Sequence, residues 1–538
     1  MALLAGCGGA RLPPPSTEID ETAYRDAVRT LASDDFEGRR PGTPGEEKTL
    51  AYLQAQFRRM GLKPLQGRKS DQADAFLQPV PLLEITAGAD ATLSLSGGGK
   101  VENLRYVKDM VIRSPGPAPD PAVSASPAVF VGYGIVAPEY HWDDYAGADV
   151  QGKTVIALVN DPGFAVHDSQ RFRGGRETYY GRWDYKVAEA ARRGAAAILL
   201  VHDEAAAGYP WDALVNGLIG AQLRPVGGMP APQSPFIEGW ISGAAARAAF
   251  AQAGVDFATV SAAAAQPGFR ALPLALTVDA RLHDSFRQVA SANVIGVLPG
   301  SGRKREFIVF TAHWDHLGRR GDAIFSGAVD GASGVAGLLT LAQSFVRTRP
   351  VAERSIAFMV FTGTESGLLG SAYYVANPVI PLGQIAAVVN LDEMTLGGPT
   401  RDVMIFGDGN SEVEDVFRQA ALLQGRDVRP DPIPEQGMYY RGDQLTFARA
   451  GVPALLARAG LDDSARGPKF GRAQLDEYRQ QRWHRPEDKY SPAWDVRGAL
   501  DDLRLDYEVG NRLARSRRFP RWFPESEFSS LHAPAVPP

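Results

Sequence analysis

Phe307-Ile-Val-Phe-Thr-Ala-His-Trp-Asp-His-Leu-Gly318 is the segment around which the chain is organised. Its first half is an apolar run rich in β-branched and aromatic residues, which predicts a buried strand. The run ends in His313 and Asp315, and open α/β sheets place their sites just past the carboxyl ends of such strands. A lone histidine is more often structural than functional, so a site requires similar residues at other strand ends.

Alternating apolar runs continue on both sides of this segment. The expected strands are 292–298, 307–311, 355–361, 385–391, 403–406 and 452–456, and the expected helices between them are 332–345, 367–375, 412–423 and 443–450. Earlier in the chain, residues 18–64 predict two helices separated by a Pro- and Gly-rich break. This alternation predicts an α/β fold with a mostly parallel central sheet flanked by helices.

Four other positions of this half carry metal-competent side chains, three of them at strand or helix junctions: Asp330, Glu365, Asp392 and, much later, His484. Taken singly, Asp330 could be a helix cap and Glu365 a favourable charge at a helix start. Two histidines and three carboxylates at topologically equivalent positions are harder to explain in that way. Imidazoles and carboxylates without thiolates suit zinc, and a carboxylate can bridge two ions.

The catalytic half resembles metallopeptidase family twenty-eight, the co-catalytic di-zinc aminopeptidases. The matching segments are Ala312–Gly318, Asp330–Gly334, Glu365–Ser371, Asn390–Asp392, Tyr440–Asp443 and His484–Asp488, and the similarity runs from about residue 32 to 528. The resemblance implies two Zn²⁺ ions, peptide substrates, and metal ligands at His313, Asp330, Glu365, Asp392 and His484. It further implies that Asp330 bridges the metals, that Asp315 orients a ligating histidine, and that Arg441 contacts a substrate oxygen.

The chain departs from this family where the chemistry is most sensitive. Thr364 occupies the position of the usual general-base glutamate, and an alkanol hydroxyl cannot act as a base near neutral pH. Gly331 stands where Asn is usual, and Trp483 where Tyr often precedes the last ligand. Zinc alone can lower the pKa of bound water to about 7. A slow enzyme, another base such as Glu393 or Asp443, and an inactive metal-binding protein therefore all remain open.

The resemblance leads to a primary functional hypothesis with two alternatives. The first is a zinc-dependent exopeptidase of the aminopeptidase type, which hydrolyses N-terminal residues of peptides through a water that bridges the metals. The second is a weakly active or inactive pseudoenzyme that retains metal and binds peptides. A hydrolase acting on non-peptide amides is the third. Retention of all five ligands favours the first, and Thr364 favours the second.

The middle of the chain resembles the protease-associated domain, a smaller β-rich insertion without catalytic residues. The matching features are Gly132-Tyr133-Gly134, Asp143-Asp144-Tyr145, Gly152-Lys153 and a helix at 186–193 before a strand at 195–201. The predicted boundaries are a possible signal remnant and tether at 1–18, an N-terminal part of the peptidase domain at 19–114, the insertion at 115–275, the catalytic domain at 276–520 and a tail at 521–538. His141, His167 and His202 are accordingly expected at the surface or in packing.

Composition and the N-terminus bear on partners and location. Lys plus Arg number 57 and Asp plus Glu number 62, and the net charge of −5 argues against a nucleic-acid partner. Leu4-Ala5-Gly6-Cys7 resembles the lipobox of bacterial lipoproteins and contains the chain's one cysteine, although only six residues precede it. This indicates a periplasmic or cell-envelope protein with a possible lipid anchor at Cys7. The oligomeric state is not predicted by the sequence.

Overall fold

A computed structural model describes residues 18–531, except 65–66, 89, 117–119, 167–170, 227–236, 349–351 and 395–396. Cys7 and the predicted tether lie outside the described residues. Two large sheets dominate the described part of the chain, one with nine strands and one with eight.

The strands of the chain mostly belong to the two large sheets. In chain order they are β1 (Leu77–Ala87), β2 (Thr92–Gly97), β3 (Lys100–Leu104), β4 (Met110–Arg113), β5 (Ala122–Phe130), β6 (Val136–Ala137), β7 (Trp142–Asp143), β8 (Thr154–Leu158), β9 (Ala197–His202), β10 (Ala221–Pro225), β11 (Ile237–Ser242), β12 (Leu272–Arg281), β13 (Asp284–Leu298), β14 (Phe307–His313), β15 (Gly318–Arg320), β16 (Ala323–Phe325), β17 (Ser355–Phe361), β18 (Ile385–Asn390), β19 (Asp402–Phe406), β20 (Asp427–Pro430) and β21 (Ala454–Ala459).

Helices cover both large sheets. They are α1 (Glu21–Leu31), α2 (Pro44–Met60), α3 (Pro162–Val166), α4 (Trp183–Arg192), α5 (Glu204–Ala207), α6 (Trp211–Leu218), α7 (Gly243–Gln252), α8 (Phe257–Ala264), α9 (Gly334–Arg347), α10 (Leu369–Ala376), α11 (Glu412–Leu423), α12 (Gln444–Arg449), α13 (Pro468–Glu477) and α14 (Arg497–Arg515). The two predicted N-terminal helices are α1 and α2, and α2 ends at Gly61 in the left-handed conformation that glycine adopts without strain.

The nine-stranded sheet has the order β10-β1-β13-β17-β14-β18-β21-β19-β20. Its centre, from β17 through β14 and β18 to β21, is parallel. The flanking pairs β10–β1, β1–β13, β13–β17 and β21–β19 are antiparallel. The predicted α/β class is confirmed, with parallel pairing concentrated in the middle of the sheet. β13 begins eight residues before the predicted strand because its first half pairs with β1.

The eight-stranded sheet has the order β3-β2-β12-β5-β8-β9-β11-β4 and lies mostly within the predicted insertion. β2, β3 and β4 also belong to it, although the predicted boundaries assign residues 92–113 to the peptidase domain. Conversely, β10 lies within 115–275 but pairs with β1 in the other sheet. The likeness of this unit to a protease-associated domain stays a prediction.

Apolar cores lie on both faces of the nine-stranded sheet. One face packs against α1, α2, α9, α11 and α14, and the other against α10 and α12. The stretch Ala328–Arg347 is long and apolar enough to cross a membrane by length and composition, but 89% of its most apolar window is buried inside this protein. This burial is typical of a helix in the core of a folded protein.

The parallel strands end on one edge of the sheet. His313 closes β14, Glu365 follows β17 after a short turn, and Asp392 follows β18. Asp330 lies in the irregular turn Ala328–Ser333 that leads into α9. Because parallel strands deliver their carboxyl ends to the same side, these side chains converge there.

Candidate metal centre

One half of the centre consists of His313, Asp330 and Asp392. His313 Nε2 lies 3.1 Å from Asp392 Oδ1 and 3.4 Å from Asp330 Oδ1. His313 Nδ1 donates to the main-chain oxygen of Asp315 at 3.0 Å. Because Nδ1 is committed to this hydrogen bond, Nε2 is the ring nitrogen that would bind a metal ion.

The other half consists of His484, Glu365, His316 and the second oxygen of Asp330. His484 Nε2 lies 3.4 Å from Asp330 Oδ2 and 3.2 Å from Glu365 Oε2. His316 Nδ1 lies 2.8 Å from Glu365 Oε1. All five predicted ligands are therefore brought together, and His316 joins them. We call these six residues the donor cluster.

The donor set fits two divalent cations. Ligand atoms of His313, Asp330 and Asp392 lie within 4.8 Å of one another, and the same holds for His316, Asp330 and Glu365. The two groups share Asp330, whose two oxygens point to opposite halves. His316 Nε2 is buried without a hydrogen-bond partner among the described residues. Imidazole and carboxylate donors in this arrangement suit zinc.

Charges within the donor cluster are strongly coupled. Burial lowers the pKa of His313, but the carboxylates of Asp330 and Asp392 outweigh it and hold that pKa well above its usual value. Burial likewise opposes protonation of His484, yet Glu365 and Asp330 raise its pKa to about 9. Burial and Asp330 oppose ionisation of Glu365, but His484 and His316 lower its pKa to about 2. The protonated imidazoles thus occupy the electrostatic role of a cation.

Gly331 explains one departure of the sequence from its relatives. Its φ of 89° lies in the left-handed region, and a Cβ there would lie 3.0 Å from His313 Cε1. Asn is among the few other residues enriched at positive φ. Glycine meets both the positive φ and the close approach of the His313 ring in the turn that presents Asp330.

The backbone around His484 and Asp330 is held by several contacts. His484 has a φ of 57°, which is uncommon for a residue with a side chain. Trp483 stacks on its ring, with centroids 3.9 Å apart. Asn216, in α6, donates to the main-chain oxygen of His484 at 3.1 Å. The Asp488 carboxylate accepts the main-chain N–H of Asp330 at 3.1 Å. The motif that contains His484 therefore also holds the turn that carries Asp330.

Asp315 orients His313 through its main-chain carbonyl group and not through its carboxylate. Its carboxylate Oδ1 lies 3.8 Å from His313 Nδ1, so the orienting hydrogen bond comes from its carbonyl group instead. The carboxylate accepts the main-chain N–H groups of Thr364 and Glu365 at 3.1 and 3.3 Å. The Asp315 carboxylate thereby connects the segment after β14 to the main chain just after β17. The two segments are close because both strands end at the same edge of the sheet.

Thr364 faces a second buried carboxylate. Its hydroxyl donates to Asp443, with Oγ1 3.1 Å from Oδ1 and 3.0 Å from Oδ2. Ser371 donates to Asp443 Oδ1 at 2.5 Å. Burial raises the pKa of Asp443 to about 6. Thr364 itself is only partly buried, whereas Asp443 is buried.

Glu393, the other candidate base of the sequence, is held by two guanidinium groups. Arg458 binds Glu393 Oε2, and Arg479 donates to the same oxygen at 3.0 Å. Arg458 also lies 3.5 Å from Asp392 Oδ2. These contacts fix the Asp392 loop but leave Glu393 paired with two positive charges.

Arg441 lies away from the donor cluster. Its Nε donates to the main-chain oxygen of Gln436 at 2.8 Å, and its guanidinium lies 5.1 Å from the ring of Tyr209. No hydrogen bond or ion pair among the described residues joins it to the six ligands. Its predicted contact with a substrate oxygen stays a prediction.

Two of the three histidines expected at the surface or in packing are described, and both lie outside the donor cluster. His141 is exposed, and His202 packs against Tyr209 and Trp211. His167 lies outside the described residues. Sequence reasoning missed His316 as a donor, although its spacing of three residues from His313 in one motif was a usable signal. It also missed Asn216, which no local pattern connects to His484.

Comparisons with known proteins agree with this geometry. Residues 293–507 match the model of Peptidase family M28. A probable zinc metalloprotease of Pyrenophora teres f. teres is 34% identical over 127 residues, which is 23% of this chain and 23% of that protein. A probable zinc metalloprotease of Pyrenophora tritici-repentis is 32% identical over 127 residues, covering 23% of this chain and 25% of that protein. The matches thus span about a quarter of these curated relatives.

A solved structure extends the likeness of fold to the whole chain. The aminopeptidase from Aneurinibacillus sp. strain AM-1 aligns with 96% of this chain and 98% of its own, with a TM-score of 0.54 and 19% sequence identity. At this identity the likeness concerns the fold alone.

Proposed function

Because residues 293–507 belong to peptidase family M28, we propose that this protein is a zinc-dependent peptidase of the aminopeptidase type, which removes N-terminal residues from peptides. The observation that carries the proposal is the Asp330 carboxylate. Its two oxygens face His313 on one side and His484 on the other, at 3.4 Å each. A single carboxylate between two sets of donors is the arrangement that a pair of zinc ions requires.

The residues of the site have two roles, metal binding and support of the metal ligands. His313 and Asp392 would hold one zinc ion, Glu365, His484 and His316 the other, and Asp330 both. When bound, zinc polarises a carbonyl group and lowers the pKa of a water molecule to about 7. Asp315 and Asp488 hold the backbone of the ligands through the contacts described above. Side-chain exposure within the cluster does not exceed 14%, so the residues keep bulk water away from the reacting groups.

Restricted access supports cleavage at a peptide end. Helix α6 of the eight-stranded unit reaches the site, where Asn216 binds the His484 backbone and Asp212 pairs with Arg485. Tyr209, just before α6, lies against Trp483 with ring centroids 5.3 Å apart. A wall on this side suits a chain end better than the middle of an extended peptide.

The experiment is a hydrolysis assay with matched substrates. We expect aminoacyl amides and short peptides with a free amino group to be cleaved when zinc is supplied, and their N-acetylated counterparts to resist. His484→Ala should lower zinc content and activity. His141→Asn, at an exposed position whose left-handed backbone Asn tolerates, should change neither. Equal cleavage of acetylated and free substrates would contradict the exopeptidase proposal.

A second candidate function is a metal-retaining protein that binds peptides without cleaving them. Thr364 at the position of the general base favours it, because general-base catalysis contributes roughly 10²–10⁴-fold. Zinc-loaded protein that binds a free-amine peptide but releases it intact would establish this candidate instead.

We also propose that Cys7 carries a lipid and anchors the protein in the cell envelope. Acyl chains add about 0.8 kcal/mol of membrane affinity per buried CH₂. Full-length protein should then fractionate with membranes, and Cys7→Ser protein should not. The proposal fails if the gene upstream of the first residue encodes no apolar stretch in frame.

A further inference from the structure

The unexplained feature of this site is the hydroxyl at the position of the base. Thr364 Oγ1 has one proton to donate, and that proton is directed at the Asp443 carboxylate, 3.0 and 3.1 Å away. A hydroxyl that donates one hydrogen bond keeps two lone pairs as acceptors. Thr364 is partly exposed and directly precedes Glu365 of the donor cluster.

Asp443 is placed to accept a proton but not to touch the substrate. It is 1% exposed, at the start of α12, and lies behind Thr364. Its recorded side-chain partners are the hydroxyl groups of Thr364 and Ser371, which are neutral donors. Glu393 differs, because Arg458 and Arg479 pair with it. Asp315 differs as well, because its oxygens accept main-chain N–H groups.

We propose that Thr364 and Asp443 form a proton relay that takes the place of the missing glutamate. The inference rests on the proposed peptidase function. The attacking water gives a proton to Thr364 Oγ1 while the proton of Thr364 passes to Asp443. The electron pair of the broken O–H bond stays on the water oxygen, which bonds to the scissile carbonyl carbon. The π pair of the carbonyl group moves onto the carbonyl oxygen and returns when the carbon–nitrogen bond breaks.

The second half of the cycle restores both groups. As the carbon–nitrogen bond breaks, its electron pair goes to the amine. The amine takes a proton from Thr364 Oγ1, and Asp443 returns its proton to Thr364. Thr364 touches the reacting atoms and is the catalytic residue, whereas Asp443 acts through it and Ser371 positions Asp443.

Two substitutions at Thr364 provide the matched test. Thr364→Val keeps the shape and removes the hydroxyl, and Thr364→Ser keeps the hydroxyl and removes the methyl group. We expect kcat to fall by roughly 10²–10⁴-fold in the valine variant, the range of general-base catalysis. The serine variant should recover most of it, with KM and zinc content little changed in both. A valine variant with the kcat of the wild type overturns the relay.

A double-mutant cycle tests whether the two residues act as one unit. Asp443→Asn should lower kcat, and in the Thr364→Val background it should lower kcat no further. Independent, multiplying losses would contradict the relay, because residues that act in series lose their effect together. Thr364→Glu, which supplies a carboxylate directly, should be active and insensitive to Asp443→Asn.

Metal-free protein supplies a readout that does not depend on turnover. The melting-temperature losses caused by Thr364→Val and Asp443→Asn should be less than additive, because each removes the same hydrogen bond. Additive losses would mean that the contact is absent, and the relay with it. A zinc-loaded wild type without any turnover overturns the proposed function and the relay together, whereas an active wild type indifferent to Thr364→Val overturns the relay alone.

Discussion

Two buried groups of charged side chains, one at the end of each large sheet, differ in the source of the positive charge that faces their carboxylates. In the eight-stranded unit, the Lys186 ammonium donates to the main-chain oxygens of Tyr133 and Asn160 at 2.6 and 2.7 Å. It also attracts the carboxylates of Asp144 and Asp161. In the donor cluster, the ion pairs of Asp330 and Glu365 among the described residues are with imidazoles alone.

The carboxylates of the two groups are also satisfied differently. Asp161 accepts hydrogen bonds from the N–H and hydroxyl of Thr178, at 2.8 Å each, and Asp144 accepts from the Trp142 indole at 2.8 Å. Asp330 instead faces two imidazole nitrogens that can lose their protons. The N–H and hydroxyl donors satisfy Asp144 and Asp161 within the fold, whereas the imidazole nitrogens that face Asp330 can bind an external cation instead.

Removal of the shared carboxylate should have the largest effect. Asp330→Asn takes away one of the three carboxylates of the donor cluster, the one that both metal positions share, so bound zinc should fall from two ions to one or none. Hydrolysis should fall by roughly 10²–10⁴-fold, since metal polarisation supplies several kcal/mol of transition-state stabilisation. Metal analysis and kcat/KM measure the two effects. The same change in the lysine-bound group, Asp161→Asn, should leave zinc content at the wild-type value, and zinc loss there would remove the distinction between the groups.

Removal of the internal cation should act on stability instead. Lys186→Met leaves Asp144 and Asp161 without their positive partner. Breaking a buried pair in this way costs about 3–5 kcal/mol of unfolding free energy. Urea denaturation should show this loss equally in metal-free and zinc-loaded protein, and zinc content should not change. A variant as stable as the wild type would mean that Lys186 does not neutralise these carboxylates.

The pH dependence of metal-free protein sharpens the comparison. The pKa of His484 is raised to about 9, so its contribution to stability is present below about pH 6.5 and is lost as pH rises through 9. The pKa of Glu365 is lowered to about 2, so its contribution is present above about pH 4.5 and is lost as pH falls through 2. The cluster should therefore stabilise the fold most between about pH 4.5 and 6.5, with a loss of about 3 kcal/mol on the alkaline side.

Bound zinc should abolish the loss of stability at alkaline pH, because a metal-bound imidazole is already without its extra proton. Binding near neutral pH should accordingly release protons, and apparent zinc affinity should rise with pH. Calorimetry in buffers of different ionisation enthalpy measures the released protons. Zinc binding without proton release would contradict the protonated state assigned to the metal-free cluster.

The smallest effect concerns the contact between the two sheet units at the metal centre. Asn216→Ala removes the hydrogen bond to the His484 carbonyl, and one such bond contributes about 0.5–1.5 kcal/mol. Zinc affinity should fall by up to roughly tenfold, without loss of either ion at saturating zinc. Asn511→Ala, on the exposed side of α14, serves as a control. An unchanged affinity would mean that the eight-stranded unit does not support the His484 loop.

Local patterns in the sequence were sufficient for the elements that carry the site. The limits of β17 and α11 agree with the prediction to the residue, because each has a clear apolar pattern with distinct ends. His313, Glu365 and Asp392 meet because the parallel strands β14, β17 and β18 end at the same edge. Helix α14, which buries Leu503 and Val509 against the same core, was not predicted, since its many charged residues obscure the apolar stripe.

Long-range contacts were beyond local patterns. The membership of β2, β3 and β4 in the eight-stranded sheet depends on pairing with distant strands, notably β2 with β12. The positions of Arg441 and Asn216 depend on how the two units meet. The roles of Thr364 and Asp443 could be listed as possibilities from the sequence, but their hydrogen bond depends on the junction of β17 with α12.

Anomalous diffraction at the zinc edge, from crystals grown with zinc, tests the central claim most directly. The account predicts two strong peaks, one on each side of the Asp330 carboxylate, with one near His313 and Asp392 and the other near Glu365 and His484. A single peak, or no peak at Asp330, under zinc-replete conditions would contradict a shared carboxylate between two metal ions.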